Sequence, residues 1–255
     1  MKWYNTVERM KTMANKVTKG IDVSVHNGTI DFNKVKAAGY DFVILRAGYG
    51  RDISQKDNTF ERNYKNAKAA GLQVGAYWYS YATSPADAAK EAQACLQAIA
   101  GKCFEMPIYF DLEEASQTSK GGAYCRQLID RFCQEMEAAG YYAGVYTSAS
   151  VANSLPSGTD SRYAMWIAHW GVKSPSYTGR YGMWQHTSTA SVSGINGSVD
   201  GDIAYIDYET VMREQGLNGY DKPKKTPTVK AEPAKSANHV ITVQFDGEVI
   251  FTKEV

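Results

Sequence analysis

The chain has 255 residues, enough for a full-sized core, and single domains of the α/β barrel type reach that length. Lys plus Arg total 28 against 27 for Asp plus Glu, a formal net charge of +1, so no global field recruits nucleic acid or an acidic surface. Aromatic residues make up 12% of the chain, with 18 Tyr and 5 Trp, and such rings either pack a core or stack on the faces of sugars.

Within residues 1–19, Trp3, Val7, Met10, Ala14 and Val17 recur at helical spacing with Lys and Arg on the other side, which predicts an N-terminal amphipathic helix. The stripe is short, so the helix is expected to dock on the main domain rather than on a membrane surface. Charges interrupt this segment every few residues, leaving no apolar stretch of signal-peptide length, and no window of the chain approaches a membrane span. A role outside the cell would then need another route of release.

Residues 20–215 read as the main domain, where one rhythm repeats: a short apolar run, a polar or aromatic end, a loop and often a helical segment. The runs are GIDVS, FVILRAGYG, QVGAYWYSYA, PIYFDLE, YYAGVYTS, MWIAHWG, YGMWQH and GDIAYID. Helices are predicted over 57–70, 86–100 and 121–139, and the AAG triplets at 37–39, 69–71 and 138–140 supply a helix-stopping glycine. Later connections are too short for full helices. The expected fold is α/β: a modified TIM-like β/α barrel of eight strands with incomplete helices in its second half, whose functional groups gather at the carboxyl ends of the strands.

Four cysteines, Cys95, Cys103, Cys125 and Cys133, fall in predicted helices or just after them as two pairs eight positions apart. Eight helical residues rise about 12 Å, too far for a bridge within either pair, and buried reduced thiols are expected, with a link between the two helices left open. Residues 216–238 form a predicted Pro/Lys-rich linker, since DKPKKTPTVKAEPAK lacks any hydrophobic period. Over 239–255 the alternation of HVITVQFDGEVIFTKEV around Asp246-Gly247 predicts a β-hairpin. A lone hairpin is marginal in water, so it reads as the start of a further module after residue 255, or as strands that pair with a partner or the barrel.

The chemistry concentrates in MPIYFDLEEAS, residues 106–116, where a buried strand ends in three acids. Strand alternation puts Asp111 and Glu113 on one face, about 7 Å apart along the backbone, and Glu114 on the other parity or in the loop as a solvated acid or helix cap. Two like charges at one strand end repel unless one holds a proton, the condition that general acid chemistry needs. Asp22 ends the first run, and Asp200 and Asp202 lie at the last, which a closed barrel brings beside the first. In AYWYSYA, Tyr77, Tyr79 and Tyr81 share a face and Trp78 takes the other; Tyr77 and Tyr79 are expected in the groove, with Tyr49, Tyr146, Trp166 and Gln185 as neighbours. Each of these has a core-packing reading as well. Arg46 reads either as a substrate contact or as the partner of a barrel acid.

In order, GIDVSVHNG, FVILRAGYG, GAYWYSYA, the D-x-E of YFDLE, VYTS, WIAHWG and WQHTSTASVSGINGSVDGD resemble glycoside hydrolase family 25, the muramidase family that includes phage endolysins and bacterial autolysins. The resemblance runs from about Gly20 to Tyr208. It implies a lysozyme that cleaves the β-1,4 bond between N-acetylmuramic acid and N-acetylglucosamine of the peptidoglycan glycan strand, on the outer side of the bacterial cell, with no cofactor and no metal, and it makes a module after residue 255 one expected to bind cell wall. On the family pattern Glu113 is the general acid, and Asp111, Asp22 and Asp200 are supporting carboxylates. Asp202 stands where relatives often carry Asn and is counted with the substrate contacts, its role open.

Three other readings compete. A metal-dependent hydrolase would draw on Asp22, His26, Asp111, Glu113 and His169, but no HxH or HExxH spacing supports it. A glycan-binding barrel without catalysis would not need the retained acids. A chitinase-like barrel would carry a longer run of alternating acids, whereas Tyr109 occupies the position two before Asp111.

Overall fold

Each apolar run forms a strand: β1 (Asn15–Val23), β2 (Phe42–Tyr49), β3 (Gln73–Tyr79), β4 (Ile108–Asp111), β5 (Ala143–Ser148), β6 (Ala164–Ala168), β7 (Met183–Ser191) and β8 (Ser198–Ile206). A computed structural model describes residues 15–222 and the strand residues 240–245 and 248–254. The eight strands close into a barrel in chain order. β1 to β7 run parallel, and β8 runs antiparallel to both β7 and β1. That reversal places Asp200, near the start of β8, opposite Asp22, near the end of β1.

Helices cover the first half and thin out after it. α1 (Phe32–Ala37), α2 (Phe60–Ala69), α3 (Pro85–Ile99), α4 (Ala115–Thr118) and α5 (Gly122–Ala138) precede β5, and only the short α6 (Ala149–Ser154) and α7 (Thr159–Arg162) lie between β5 and β6. No helix separates β6, β7 and β8; α8 (Tyr208–Gln215) follows. α3 starts where Ser84 accepts the Asp87 N–H and Pro85 fills the first turn, a position with no N–H partner to lose. Gly71 and Gly140, with φ of 76° and 89°, turn the chain after α2 and α5.

Two apolar layers result from strand parity. Outward residues such as Val43, Val74, Trp78, Phe110 and Ile167 pack under Ala88, Ala92 and Cys95 of α3 and Leu128, Ile129 and Phe132 of α5. These side chains repeat at three and four residue intervals, the apolar face of a helix. The barrel interior is filled by Phe42, Ile44, Met106, Tyr109, Trp166, Met183 and Ala204. Each large side chain removed from water contributes about 1.5–3 kcal/mol. Cys95, Cys125 and Cys133 are buried free thiols, and Cys103 is free and half-buried.

Inward glycines make room for the bulkiest fillers. A Cβ at Gly144 would lie 2.4 Å from the Ala164 carbonyl oxygen and 2.8 Å from the Tyr109 ring. Paired backbone cannot retreat cheaply, so Gly144→Ala is expected to cost about 1–3 kcal/mol, read as a lower Tm in a thermal melt. An unchanged Tm would mean that β5 and β6 separate without penalty.

Two boundaries differ from the sequence reading. Asn15–Lys19 extend β1 rather than a helix, because Thr18, Lys19 and Asn15 pair with Ala204, Ile203 and Ile206 of β8; residues 1–14 lie outside the described residues. The linker also begins later than residue 216. Asn218 is fully buried, donating from Nδ2 to the Met106 carbonyl at 2.8 Å and accepting the Tyr142 N–H at 2.6 Å, so it ties the lower ends of β4 and β5. Residues 223–238 lie outside the described residues. In the separate C-terminal unit, β9 (Val240–Phe245) and β10 (Glu248–Glu254) pair antiparallel, with Phe245 opposite Glu248.

Candidate active site

The carboxyl ends of β1 to β6, Gln185 near the start of β7 and the start of β8 surround a cavity of about 820 Å³. Asp22, Asp111, Glu113 and Asp200 line it together with Tyr49, Tyr77, Tyr79, Tyr146, Trp166 and Gln185. Asp202 does not. It is fully buried, and its Oδ1 accepts the Trp166 indole N–H at 2.8 Å. It therefore cannot touch a substrate in the cavity. The reason is strand direction: on the reversed β8, two residues on from Asp200 is about 7 Å deeper, not nearer the mouth.

β4 ends at Asp111, yet alternation continues to Glu113 because Leu112 stays pinned to β5. Its N–H donates to the Tyr146 carbonyl at 2.9 Å and its carbonyl accepts the Thr147 hydroxyl at 2.7 Å. Leu112 is buried outward and Glu113 opens onto the cavity. Glu114 occupies the N-cap position of α4 without capping it and instead accepts the Tyr79 hydroxyl at 2.6 Å.

The floor is a directed hydrogen-bond chain. Tyr146 Oη donates to Gln185 Oε1 at 2.8 Å and Trp170 Nε1 donates to the same oxygen at 3.0 Å, so the Gln185 amide must turn its Nε2 toward Asp22 Oδ2, 2.7 Å away. Trp166 sits beneath, edge-on to Tyr146 with ring centroids 4.5 Å apart. Tyr49, Tyr81 and Trp170 form an exposed aromatic rim, 37%, 50% and 51% accessible, which leaves ring faces free for a ligand. Below the rim, Glu91 accepts the Tyr81 N–H at 2.8 Å, and Gln117 Nε2 donates to Ser80 Oγ and the Ala82 carbonyl, fixing the loop that carries Tyr81.

Several members were missed or misjudged from sequence. Tyr81 shares the parity of Tyr77 and Tyr79, a signal that was sufficient, and Trp170 ends the β6 run. Asp57 comes from a loop with no periodic signal. It accepts the Val25 N–H at 2.9 Å, the Thr59 N–H and hydroxyl, and Arg46 Nε at 2.8 Å, clasping the loops after β1 and β2. Arg46 is thus held by this loop acid, not by a strand-end one. His26 lines the cavity, whereas His169 does not and accepts the Ser176 N–H on its Nδ1. Among the described residues no group of three or more His, Cys, Asp and Glu side chains is placed to hold a metal ion, and no helix is long and apolar enough to cross a membrane.

The electrostatics favour proton retention. Burial pushes Asp111 well above the usual carboxylate range, Glu113 and Asp22 push further, and Arg46 opposes them. Asp22 is raised by burial and then by Asp200 against the Gln185 hydrogen bond, and Asp200 is raised by burial. Glu113 is raised by the protein crowding it from below, with Tyr79 opposing and Glu114 and Asp200 adding; water reaches it through the mouth, so its desolvation is partial. A mouth with several crowded carboxyls holds a donatable proton nearer neutrality than an isolated acid would.

The sequence profile of glycosyl hydrolases family 25 matches residues 21–195. The chain is 30% identical over 209 residues to an autolytic lysozyme of Clostridium acetobutylicum, covering 81% of this chain but only 62% of that relative's length. The crystal structure of the bacterial lysozyme from Streptomyces coelicolor is similar with a TM-score of 0.62 at 29% identity, over 72% of this chain and 90% of that one. The modular autolysin LytC from Streptococcus pneumoniae, in complex with a synthetic peptidoglycan ligand, gives 0.62 at 27% identity, over 74% of this chain and 47% of that one. With the profile match running from β1 through the barrel to the β7–β8 connection, the chain belongs to glycosyl hydrolases family 25.

Proposed function

We propose that the chain is a muramidase, hydrolysing the β-1,4 bond between N-acetylmuramic acid and N-acetylglucosamine in the peptidoglycan of bacterial cell walls. The observation that carries this reading is the convergence of Asp22, Asp111, Glu113 and Asp200 on one aromatic-rimmed cavity in a family 25 barrel. Glu113 is the general acid: raised, water-accessible and held at the mouth, it protonates the leaving glycosidic oxygen.

Asp111 suits a different task. It is 4% exposed, and its Oδ1 has no hydrogen-bond partner in the protein. An acceptor left open in this way fits the N–H of a 2-acetamido group, whose carbonyl oxygen then attacks the anomeric carbon as Glu113 gives up its proton. Water activated by the Glu113 carboxylate completes hydrolysis. Asp22 and Asp200 support the positive charge that develops at the anomeric centre. The rim tyrosines and Trp170 stack on flanking sugars.

Mass spectrometry of purified walls after digestion tests the reading. Fragments with a reducing N-acetylmuramic acid end are expected. Reducing glucosamine ends, or cut peptides with intact glycan, would replace it with another activity.

A further inference from the structure

Asp202 lies one layer below the cavity, on β8, opposite Gly20 of β1 and Gln185 of β7. Its Oδ1 is occupied by the Trp166 N–H, while its equally buried Oδ2 receives no donor. The titratable groups facing it are Asp22 from β1, Asp200 from its own strand and the Tyr109 phenol from β4, with the Trp166 indole from β6. Asp22 stands two residues beyond Gly20 on the same inward face, so the Asp22 and Asp202 carboxyls are diagonal neighbours across the β1–β8 pair. Two carboxylates set side by side cannot hydrogen-bond to each other, because neither has a hydrogen to give.

The proton belongs on the member with the poorer support for charge. Asp22 accepts the Gln185 amide and lines the cavity, whereas Asp202 lies below it at 0% exposure and has one neutral donor. We propose that Asp202 is a permanently protonated carboxylic acid and a positioning residue, donating its hydrogen to Asp22 and so orienting Asp22 below the reacting sugar. Burial and the Asp22 charge both hold Asp202 well above the usual carboxylate range, as this requires. The acid works here as an amide would, with one acceptor toward Trp166 and one donor toward Asp22.

The effect on rate rests on the muramidase reading, but the protonation does not, and the two are tested apart. In infrared difference spectra at neutral pH, Asp202→Asn should remove one protonated-carboxyl carbonyl band that shifts in heavy water. No lost band would overturn the proposal. The unfolded chain sheds this proton above about pH 4 and the folded chain keeps it, so the folded wild type loses ground as pH rises toward the folded pKa. The Tm of Asp202→Asn relative to wild type should therefore climb with pH; a constant gap would contradict the assignment.

For positioning, Asp202→Leu, with its fold checked by circular dichroism, should lower kcat by about tenfold or more with KM little changed, the scale of a lost hydrogen bond to a charged group. Asp202→Asn should recover most of that loss because its amide still donates. Full kcat in the Leu variant, or no rescue by Asn, would remove the positioning role.

Discussion

Glu113→Gln is expected to lower kcat on purified cell walls by about 10²–10⁴-fold, or roughly 3–5 kcal/mol, while wall binding persists. The amide keeps the shape of the side chain at the mouth but has no acidic proton for the leaving oxygen. Folding should not suffer, because the Tyr79 hydroxyl donates to Glu114, which the substitution leaves in place. Wild-type activity should also fall as pH rises through the upper titration of the cluster, since Glu113 as the proposed general acid acts only while protonated, and its carboxyl is raised by burial, Glu114 and Asp200. The limb belongs to the interacting group of acids rather than to one residue. Near-normal lysis by the Gln variant, or activity climbing steadily to about pH 9, would refute the assignment of Glu113.

Asp111→Asn should cost about 10²–10³-fold in kcat, the range found when a preorganised group facing developing charge is removed. Asn keeps the size of the side chain, but half of its head group offers N–H where the open Oδ1 accepts. Its stability should move the other way. Asp111 is buried with a raised pKa, so the folded state resists its ionisation while the unfolded chain ionises freely above about pH 4. The resulting penalty grows as pH rises toward the folded pKa, and the Asn variant escapes it. A Tm at or above that of wild type near neutral pH, combined with lost turnover, is the expected pair of results. If the double variant with Glu113→Gln loses no more than either single one, the two acids act as a unit; multiplied losses would show independent roles.

Much of this arrangement is legible in the sequence because strand alternation is local. The D-x-E of β4 needs only period two to put Asp111 and Glu113 on one face, and Tyr77, Tyr79 and Tyr81 follow the same rule. Depth is not local. Asp200 and Asp202 share a face in the sequence, but only the direction of β8 against β1 decides which of them meets the cavity. Asp57 was invisible for a related reason, since its partners Val25 and Arg46 come from elements that meet only once the barrel closes. Around Asn218, polarity suggested a linker, whereas two tertiary hydrogen bonds make it part of the barrel's base. Helical periodicity misled at Asn15–Lys19, where pairing with β8 outweighs the spacing of Val17 with residues before it.

The pairing of Asn15 with Ile206 also settles where a protein engineer would attach cargo. Because the closing strand travels back down, the barrel receives its chain and returns it at the same pole, opposite the acid-lined opening. A tag or reporter fused directly before Asn15 or directly after α8 would therefore join the barrel at the end away from that opening.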